Sequence, residues 1–292
     1  MHYQFKHQHA ADAAVFFEQN GFVAFADILA PDEIRTLTDA VDSASEAGKL
    51  TIGNDEMPNN NDCVFAHPAI ADTVRNPKLV AMARHLIGHP VELQHSKFNA
   101  KPLHDSGGGE VSWHQDFPFF PHTNYDLVAC LVHLDDEAMD AGPLRCVNGS
   151  HKWGPLSHVG ADGQFAYKYS GSAELLSRPS TFLTGKAGMV TFHHALTLHS
   201  SAPKQRAGHR RFVIFQYRAH DAKQLAGVVW KCHGMQVEAE QTPTPSIARF
   251  PDGTRIELRG IGGRLFDVAG QLRPSVTHAK GHPSQGKAMM AS

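Results

Sequence analysis

Two His-x-Asp pairs place an imidazole and a carboxylate at a spacing that suits metal binding. They are His114-Gln115-Asp116 and His133-Leu134-Asp135. A mononuclear non-haem iron centre needs two histidines and one carboxylate on one face of the ion, with the other positions open. Residues i and i+2 of a β-strand point the same way, so such a pair aims two ligands at one point. The third ligand must then come from a distant strand folded alongside.

The surroundings of the two pairs differ more than their composition does. With 21 histidines and 29 acidic residues, about two His-x-acid pairs are expected by chance. His114 ends the strand-like run EVSWHQDFPFF where it enters an aromatic loop, and ligands commonly lie at such edges. His133 lies inside the apolar run DLVACLVHLDD, which is typical of a core strand. We therefore favour His114 and Asp116 as ligands over the alternative that they are a surface pair in a loop.

The third ligand is sought in the segment GMVTFHHALTLHSSAPKQRAGHRRFVIFQYRA, where the candidates are His193, His194, His199 and His209. His199 ends an apolar run just before a small polar turn, which is the same kind of edge position that His114 occupies. We favour His199 on this ground.

Arg210 follows His199 by eleven residues and begins a strongly apolar strand. A charged side chain entering such a strand needs a partner, because an unpaired buried charge is expensive. A guanidinium fork binds a carboxylate through two parallel hydrogen bonds. The residues leave two partners open, namely the carboxylate of a small dicarboxylate co-substrate and a protein Asp or Glu.

Short β runs separated by turn residues extend from about residue 91 to 220. They are VELQHSKFNAKP, EVSWHQDF, DLVACLVHLDD, GPLRCVNGSH, GMVTFHHALTLHSS and HRRFVIFQYRA. Many short strands at this spacing indicate a sandwich or barrel. Helical patterns and the strand-like GFVAFADIL occupy residues 10–50, and PKLVAMARHLIGHP predicts a helix closed by Gly88.

Three segments outside these runs carry weaker patterns. The polar loop at 53–62 and the elaboration at 221–268 are placed to serve as lids or pocket walls, since function concentrates in loops. The tail from about 271 is rich in Pro, Gly, Ser, Lys and His, which predicts a flexible segment.

The composition excludes several classes of protein. The 292 residues, 41% of them hydrophobic, suffice for one large domain or two small ones and rule out a disordered chain. A net charge of -2 gives no electrostatic footprint for nucleic acid or an anionic membrane. No apolar run approaches the roughly 18 residues of a membrane span. The cysteines are widely spaced, which argues against a disulfide framework or zinc knuckle and favours a cytoplasmic location; they are Cys63, Cys130, Cys146 and Cys232.

Five segments together match the motifs of a known family. They are GFVAFADILAPDEI, SKFNAKP, SWHQDFPFF, LVHLDDEAMDAGPLRCVNGSHKWG and TLHSSAPKQRAGHRRFVIFQYR. Over residues 12–220 the chain resembles the phytanoyl-CoA dioxygenase family of iron(II)/2-oxoglutarate-dependent oxygenases. The resemblance implies a mainly β domain with flanking helices, built as a double-stranded β-helix, which is a jelly-roll or cupin-like barrel.

This implied dioxygenase domain spans residues 1–270. It has a helical part at about 10–90, a barrel at about 91–220 and an elaboration at 221–270. Residues 271–292 remain as a flexible tail.

The resemblance also implies roles for the residues singled out above. His114, Asp116 and His199 would bind Fe(II). Arg210 would bind the far carboxylate of 2-oxoglutarate, assisted by Ser201. Arg211 is an alternative anchor, and the eleven-residue spacing favours Arg210.

Further contacts are expected from the strands beside the metal. SKFNAKP resembles the corresponding strand of ectoine hydroxylases, which places Asn99 at the co-substrate, and Lys97 shares its face. His133 falls on a strand that lines the same pocket and is expected to contact the co-substrate or the substrate. The substrate is expected to contact His95, Phe117 and Phe119, with ordinary barrel-edge packing as the alternative for the phenylalanines.

The sequence thus predicts a dioxygenase that hydroxylates an unactivated carbon of a small metabolite while 2-oxoglutarate and O2 yield succinate and CO2. The intact Asp116 favours hydroxylation over halogenation. Three alternatives stay open: a non-catalytic jelly-roll binding protein, a zinc hydrolase with Glu110 as general base, and an oxygenase of the same class that desaturates or closes rings. The oligomeric state is not assigned.

Overall fold

A computed structural model describes residues 2–52, 60–101 and 109–238 and two short strands further on. Within these residues four α-helices occur, and all of them precede residue 91: α1 (Ala10–Asn20), α2 (Pro31–Glu46), α3 (Pro68–Thr73) and α4 (Pro77–Ile87). Three of them begin with proline, whose fixed φ suits the first helical turn. None of the helices so described is long and apolar enough to cross a membrane.

The strands form two main sheets and one separate two-stranded sheet, which is made of the last two strands. In chain order they are β1 (Gln4–Phe5), β2 (Phe22–Phe25), β3 (Asn60–Asn61), β4 (Val91–Ala100), β5 (Val111–His114), β6 (Leu127–His133), β7 (Leu144–Val147), β8 (Ser180–Leu183), β9 (Val190–His194), β10 (His199–Ser201), β11 (Arg211–Ala219), β12 (Met235–Gln236), β13 (Leu258–Arg259) and β14 (Leu265–Phe266).

The larger sheet has the order β1-β2-β9-β6-β11-β4-β12, with β3 beside β4, and the smaller sheet has the order β5-β10-β7-β8. Strands from distant parts of the chain are neighbours in both sheets, as in a jelly roll. The predicted mainly β, double-stranded β-helix fold is confirmed, with two facing sheets that keep open edges.

Alternation along the strands divides the core into two layers. On β6, Val128 and Cys130 pack on the helical side of the larger sheet. Ala129 and Leu131 join Phe212 in a smaller apolar cluster on the other face, towards the smaller sheet. A strand covered on both faces has few polar positions to spare. Polar side chains that do lie between the sheets therefore point to a site.

Two sequence expectations fall largely outside the described residues. The polar loop is described only from residue 60, where β3 pairs with β4. The elaboration is described to residue 238, apart from the β13–β14 pair. The flexible tail predicted for 271–292 lies outside the described part altogether.

Gly21 joins α1 to β2 in a left-handed conformation with φ of +82°. Its carbonyl oxygen accepts hydrogen bonds from the Thr197 hydroxyl at 2.7 Å and the His194 amide at 2.8 Å, on the turn that leads to His199. A Cβ built here would lie 2.5 Å from Nδ1 of His151 and 2.6 Å from Oγ1 of Thr197. This glycine is therefore required by space as well as by its backbone angle.

Gly21→Ala should lower the free energy of unfolding more than Gly88→Ala does. Gly88 also ends a helix at φ of +81°, but a Cβ there meets nothing within 4 Å. The control should lose only the left-handed penalty of about 1–2 kcal/mol, while Gly21→Ala adds overpacking of about 1–3 kcal/mol. Denaturant titration of both variants measures the difference, and equal losses would contradict the packing argument.

Candidate metal centre

Two strands of the smaller sheet bring distant histidines together. In the antiparallel pair of β10 and β5, His199 is the register partner of His114. The two imidazole centroids lie 4.2 Å apart. Strand pairing therefore produces the convergence that the sequence predicted.

Asp116 completes a group that can hold a metal ion. One potential ligand atom from each of His114, Asp116 and His199 lies within 4.8 Å of the others. Oδ1 of Asp116 is 3.6 Å from Nε2 of His114 and 3.8 Å from Nε2 of His199. Strand β5 ends at His114, so the alternation of side chains along a strand does not orient Asp116. Asp116 instead directly precedes the 3-10 turn Phe117–Phe119, which sets its orientation.

The hydrogen bonds of the two histidines fix which nitrogen faces the ligand group. Nδ1 of His114 donates to the carbonyl of Ser112 at 2.8 Å, and Nδ1 of His199 donates to the carbonyl of Thr197 at 2.8 Å. Each ring thus donates through Nδ1 and turns Nε2 towards Asp116. Such outer hydrogen bonds are characteristic of metal-binding histidines, so these residues fit a divalent metal.

The charge states of these residues also suit metal binding. Burial alone would raise the pKa of Asp116, but hydrogen bonds from His114 and His193 and the nearby histidine charges hold it well below its usual value. Burial, reinforced by the neighbouring His114 and His193, lowers the pKa of His199 well below its usual value. An ionised carboxylate and a neutral imidazole are the forms that bind metals.

The other three candidates for the third ligand lie outside the group of possible ligand atoms. His193 lies at the site, with Nε2 at 3.1 Å from Oδ2 of Asp116. His194 points away and packs against Phe17 on helix α1. His209 is exposed.

Arg210 is buried between the sheets and has a protein partner. Its Nε donates to Glu137 at 2.8 Å, Nη2 donates to the carbonyl of Gly142 at 3.3 Å, and the guanidinium lies 4.1 Å from the ring centroid of Phe212. Within the described residues Nη1 has no hydrogen-bond partner. Arg211 instead pairs with Asp135 and Asp42. The sequence left either a co-substrate carboxylate or a protein Asp or Glu as the partner of Arg210. The structure shows a protein partner, and it is Glu137.

Glu137 is shared with His133. Nδ1 of His133 lies 3.2 Å from Glu137, and Nε2 lies 3.1 Å from the Thr191 hydroxyl. Both ring nitrogens thus have protein partners, so a hydrogen bond from His133 to a co-substrate would have to replace one of them. Burial alone would raise the pKa of Glu137, but Arg210 and His133 together lower it.

A second cation lies beside this pair. Lys101 is fully buried, and its ammonium group donates to the carbonyl of Ala202. Burial, with the neighbouring charge of Arg210, lowers the pKa of Lys101 to about 7. Sequence reasoning assigned roles to neither Glu137 nor Lys101. The signals that point to them are the partner that a buried arginine requires and the alternation of SKFNAKP.

The other co-substrate candidates line the inner face nearby. Asn99 is the register partner of Phe212 and Lys97 that of Ile214. Oδ1 of Asn99 is buried and lacks a hydrogen-bond partner among the described residues. Burial lowers the pKa of Lys97, against the opposing charge of Asp116. Ser201 is buried on β10, two residues after His199.

The predicted substrate contacts divide into two sets. Phe119 lies edge-on to His114 with centroids 5.6 Å apart, and His95 stacks on Trp230 at 4.5 Å. Phe117 differs from expectation: it is fully buried in an apolar cluster, edge-on to Tyr125 at 5.0 Å, and Phe119 is a partly buried neighbour of the same cluster. Phe117 therefore follows the packing alternative. Glu110 is exposed at the start of the segment.

Known proteins resemble this chain in sequence and in fold. The sequence model of the family described as phytanoyl-CoA dioxygenase matches residues 17–212. A probable alpha-ketoglutarate-dependent hypophosphite dioxygenase of Stutzerimonas stutzeri is 35% identical over 205 residues, which are 68% of this chain and 71% of that protein.

A second curated relative and a solved structure extend the likeness. The L-proline trans-4-hydroxylase of Streptomyces griseoviridis is 28% identical over 230 residues, which are 70% of this chain and 85% of that protein. The crystal structure of EctD from S. alaskensis with bound Fe superposes with a TM-score of 0.63 at 21% identity, covering 82% of this chain and 86% of that one. At this identity the structural likeness concerns the fold.

Proposed function

The chain belongs to the phytanoyl-CoA dioxygenase family, as a non-haem iron enzyme dependent on 2-oxoglutarate and O2, and we propose that it hydroxylates an unactivated position of a small metabolite. His114, Asp116 and His199 are the proposed metal ligands. The observation that carries the proposal is the meeting of one ligand atom from each of these three residues, all within 4.8 Å of one another. The enzyme class removes the alternative of a non-catalytic binding protein.

Fe(II) in this group would supply the oxidising chemistry, and the protein supplies position. His114, Asp116 and His199 would hold the ion from one side, which would leave room for 2-oxoglutarate and O2 to bind it. The carboxylates of 2-oxoglutarate would find hydrogen-bond donors nearby, on the side chains of Arg210, Lys101 and Asn99. Arg210 is already paired with Glu137, and protonation of Lys101 beside it would add a second buried positive charge, which an added anion would pair.

The substrate side of the centre combines a ring surface with polar groups. Phe119 and the stacked pair of His95 and Trp230 provide flat apolar contact and exclude water. Lys97 adds a cation on the same strand as His95. We therefore propose a small substrate that carries an anionic or strongly polar group, such as an amino-acid derivative.

A second candidate reaction is oxidation of a P–H bond in a small phosphorus oxyanion. The relative named as a hypophosphite dioxygenase shares more sequence with this chain than the proline hydroxylase does. Lys97 would suit such an anion as well as it suits a carboxylate.

A turnover screen tests these proposals. Purified enzyme with Fe(II), 2-oxoglutarate and O2 should form succinate faster when the right substrate is added. The panel should hold L-proline, ectoine, related amino acids and hypophosphite. Incorporation of one labelled oxygen atom from O2 supports hydroxylation. Loss of two hydrogens without oxygen incorporation would replace it with desaturation or ring closure, and succinate formation with hypophosphite alone would favour the phosphorus substrate.

A further inference from the structure

We propose that His193 is a positioning residue that holds Asp116 in the orientation the metal requires. This inference rests on the proposed function of the centre, and it concerns a histidine that the metal group itself does not include. Nε2 of His193 donates to Oδ2 of Asp116, and Oδ1 of the same carboxylate faces the two ligand histidines. The side chain thereby selects one oxygen of Asp116 for the metal.

The three distances to Asp116 separate the roles of its oxygens. Oδ1 lies 3.6 Å from His114 and 3.8 Å from His199, which are separations that leave room for an ion between them. Oδ2 lies 3.1 Å from Nε2 of His193, which is a hydrogen-bond distance. A carboxylate with one oxygen held in this way binds a metal through the other, so it occupies one coordination position and leaves more of them open.

The strand that carries His193 explains why it reaches the centre. On β9, His193 and His194 point to opposite faces, since successive strand residues alternate. The register partner of His193 on β6 is Ala129. A methyl group at this position leaves space for the imidazole above the inner face. The ring of His193 lies 4.5 Å from that of His199, so packing and hydrogen bonding fix it together.

The other nitrogen of His193 is left unsatisfied. Nδ1 is buried and has no hydrogen-bond partner among the described residues. An unsatisfied buried polar atom lowers the stability of the fold by about 1–3 kcal/mol. If packing were the only role of this side chain, an apolar residue at position 193 would make the protein at least as stable. The contact with Asp116 is the polar interaction that offsets this cost, which points to a role at the carboxylate.

Metal affinity measured on single variants tests the proposal. In apo-protein titrated with Co(II), and with Fe(II) under anaerobic conditions, His193→Phe should weaken binding by about 10- to 100-fold, the usual cost of losing an outer hydrogen bond to a ligand. His193→Gln should recover most of the loss, because its amide nitrogen can donate to the same oxygen. His194→Phe is the matched control, since it changes the adjacent histidine on the opposite face and should leave the affinity unchanged.

A double-mutant cycle separates positioning from direct ligation. In an Asp116→Ala background, His193→Phe should cause no further loss of Co(II) affinity, because its effect passes through the carboxylate. A second loss of tenfold or more, with no rescue by His193→Gln, would make His193 a ligand and overturn the proposal. Far-UV circular dichroism and the denaturation midpoint of each metal-free variant establish that folding is intact.

The outcomes also separate this inference from the proposed function. If the wild-type protein bound neither metal, the proposed function would fail and this inference with it. If the wild type bound metal and turned over 2-oxoglutarate while His193→Phe bound the metal equally well, only the positioning role would be disproved.

Discussion

His114→Ala should abolish iron retention and turnover while the metal-free protein keeps its fold. His114 supplies one of the two Nε2 atoms of the ligand group, and no other described side chain shares its hydrogen bond to Ser112 and its place beside Asp116. Two remaining ligands cannot enclose one face of the ion. Turnover should therefore fall to the background of the metal-free enzyme.

Thermal and denaturant unfolding with added Co(II) give a direct measurement of this loss. A ligand that binds only the folded state at 100 times its dissociation constant stabilises that state by about 2.7 kcal/mol. The wild type should show this gain, and His114→Ala should show none at the same concentration. Without metal the two proteins should differ by about 1 kcal/mol, the typical effect of a single substitution, because the side chain is 14% exposed and Asp116 keeps its hydrogen bond from His193.

The control is His209→Ala, which removes an exposed histidine that the sequence left as a candidate for the distal ligand. It should retain metal stabilisation and turnover. Full turnover by His114→Ala, or loss of metal binding in His209→Ala, would discard the assignment of the ligand group.

Much of the ligand group follows from patterns that the sequence carries locally. The apolar run before His199 and the strand before His114 both end at their histidines, and edge positions of this kind commonly carry ligands. Their pairing in one sheet needed the resemblance to a family, because a third ligand can come from any strand that folds alongside. The predicted run GMVTFHHALTLHSS becomes two strands, β9 and β10, in different sheets.

The groups that support the ligands were harder to predict because their partners are far away along the chain. The sequence offers His193 only as another candidate for the third ligand, since strand alternation gives its face but not the position of Asp116. Glu137 follows β6 in a loop, and only the folded chain brings it to Arg210. Phe117 and Phe119 have the same two-residue spacing as strand neighbours, yet both lie in a 3-10 turn, where strand alternation does not hold.

Replacing Arg210 should weaken 2-oxoglutarate binding more than any substitution on strand β11, which follows it. Arg210→Lys keeps the positive charge that Glu137 needs but removes the planar fork. A charge-assisted hydrogen bond contributes about 1.5–3 kcal/mol, and each 1.4 kcal/mol corresponds to a tenfold change in affinity. We therefore expect a loss of roughly 10- to 100-fold in 2-oxoglutarate affinity, measured under anaerobic conditions from the visible charge-transfer band of the Fe(II) enzyme.

Arg210→Ala alone would be ambiguous, because it leaves Glu137 buried without its partner and destabilises the fold by about 3–5 kcal/mol. The double variant Arg210→Met with Glu137→Gln removes both charges together and avoids that penalty. Losing a buried charged contact to the ligand costs about 2–5 kcal/mol, so this variant should bind 2-oxoglutarate between about thirtyfold and several thousandfold more weakly, with its Co(II) affinity preserved.

Arg211→Lys supplies the matched control, since the same change is made one residue away in an arginine that pairs with Asp135 and Asp42. It should leave 2-oxoglutarate affinity unchanged. If Arg210→Lys and the double variant also bound 2-oxoglutarate as the wild type does, Glu137 would be the whole reason for the buried arginine, and the co-substrate anchor would have to be sought at Lys101. A loss confined to the Arg210 variants instead means that one guanidinium serves both carboxylates, holding Glu137 through Nε and leaving Nη1 for the ligand.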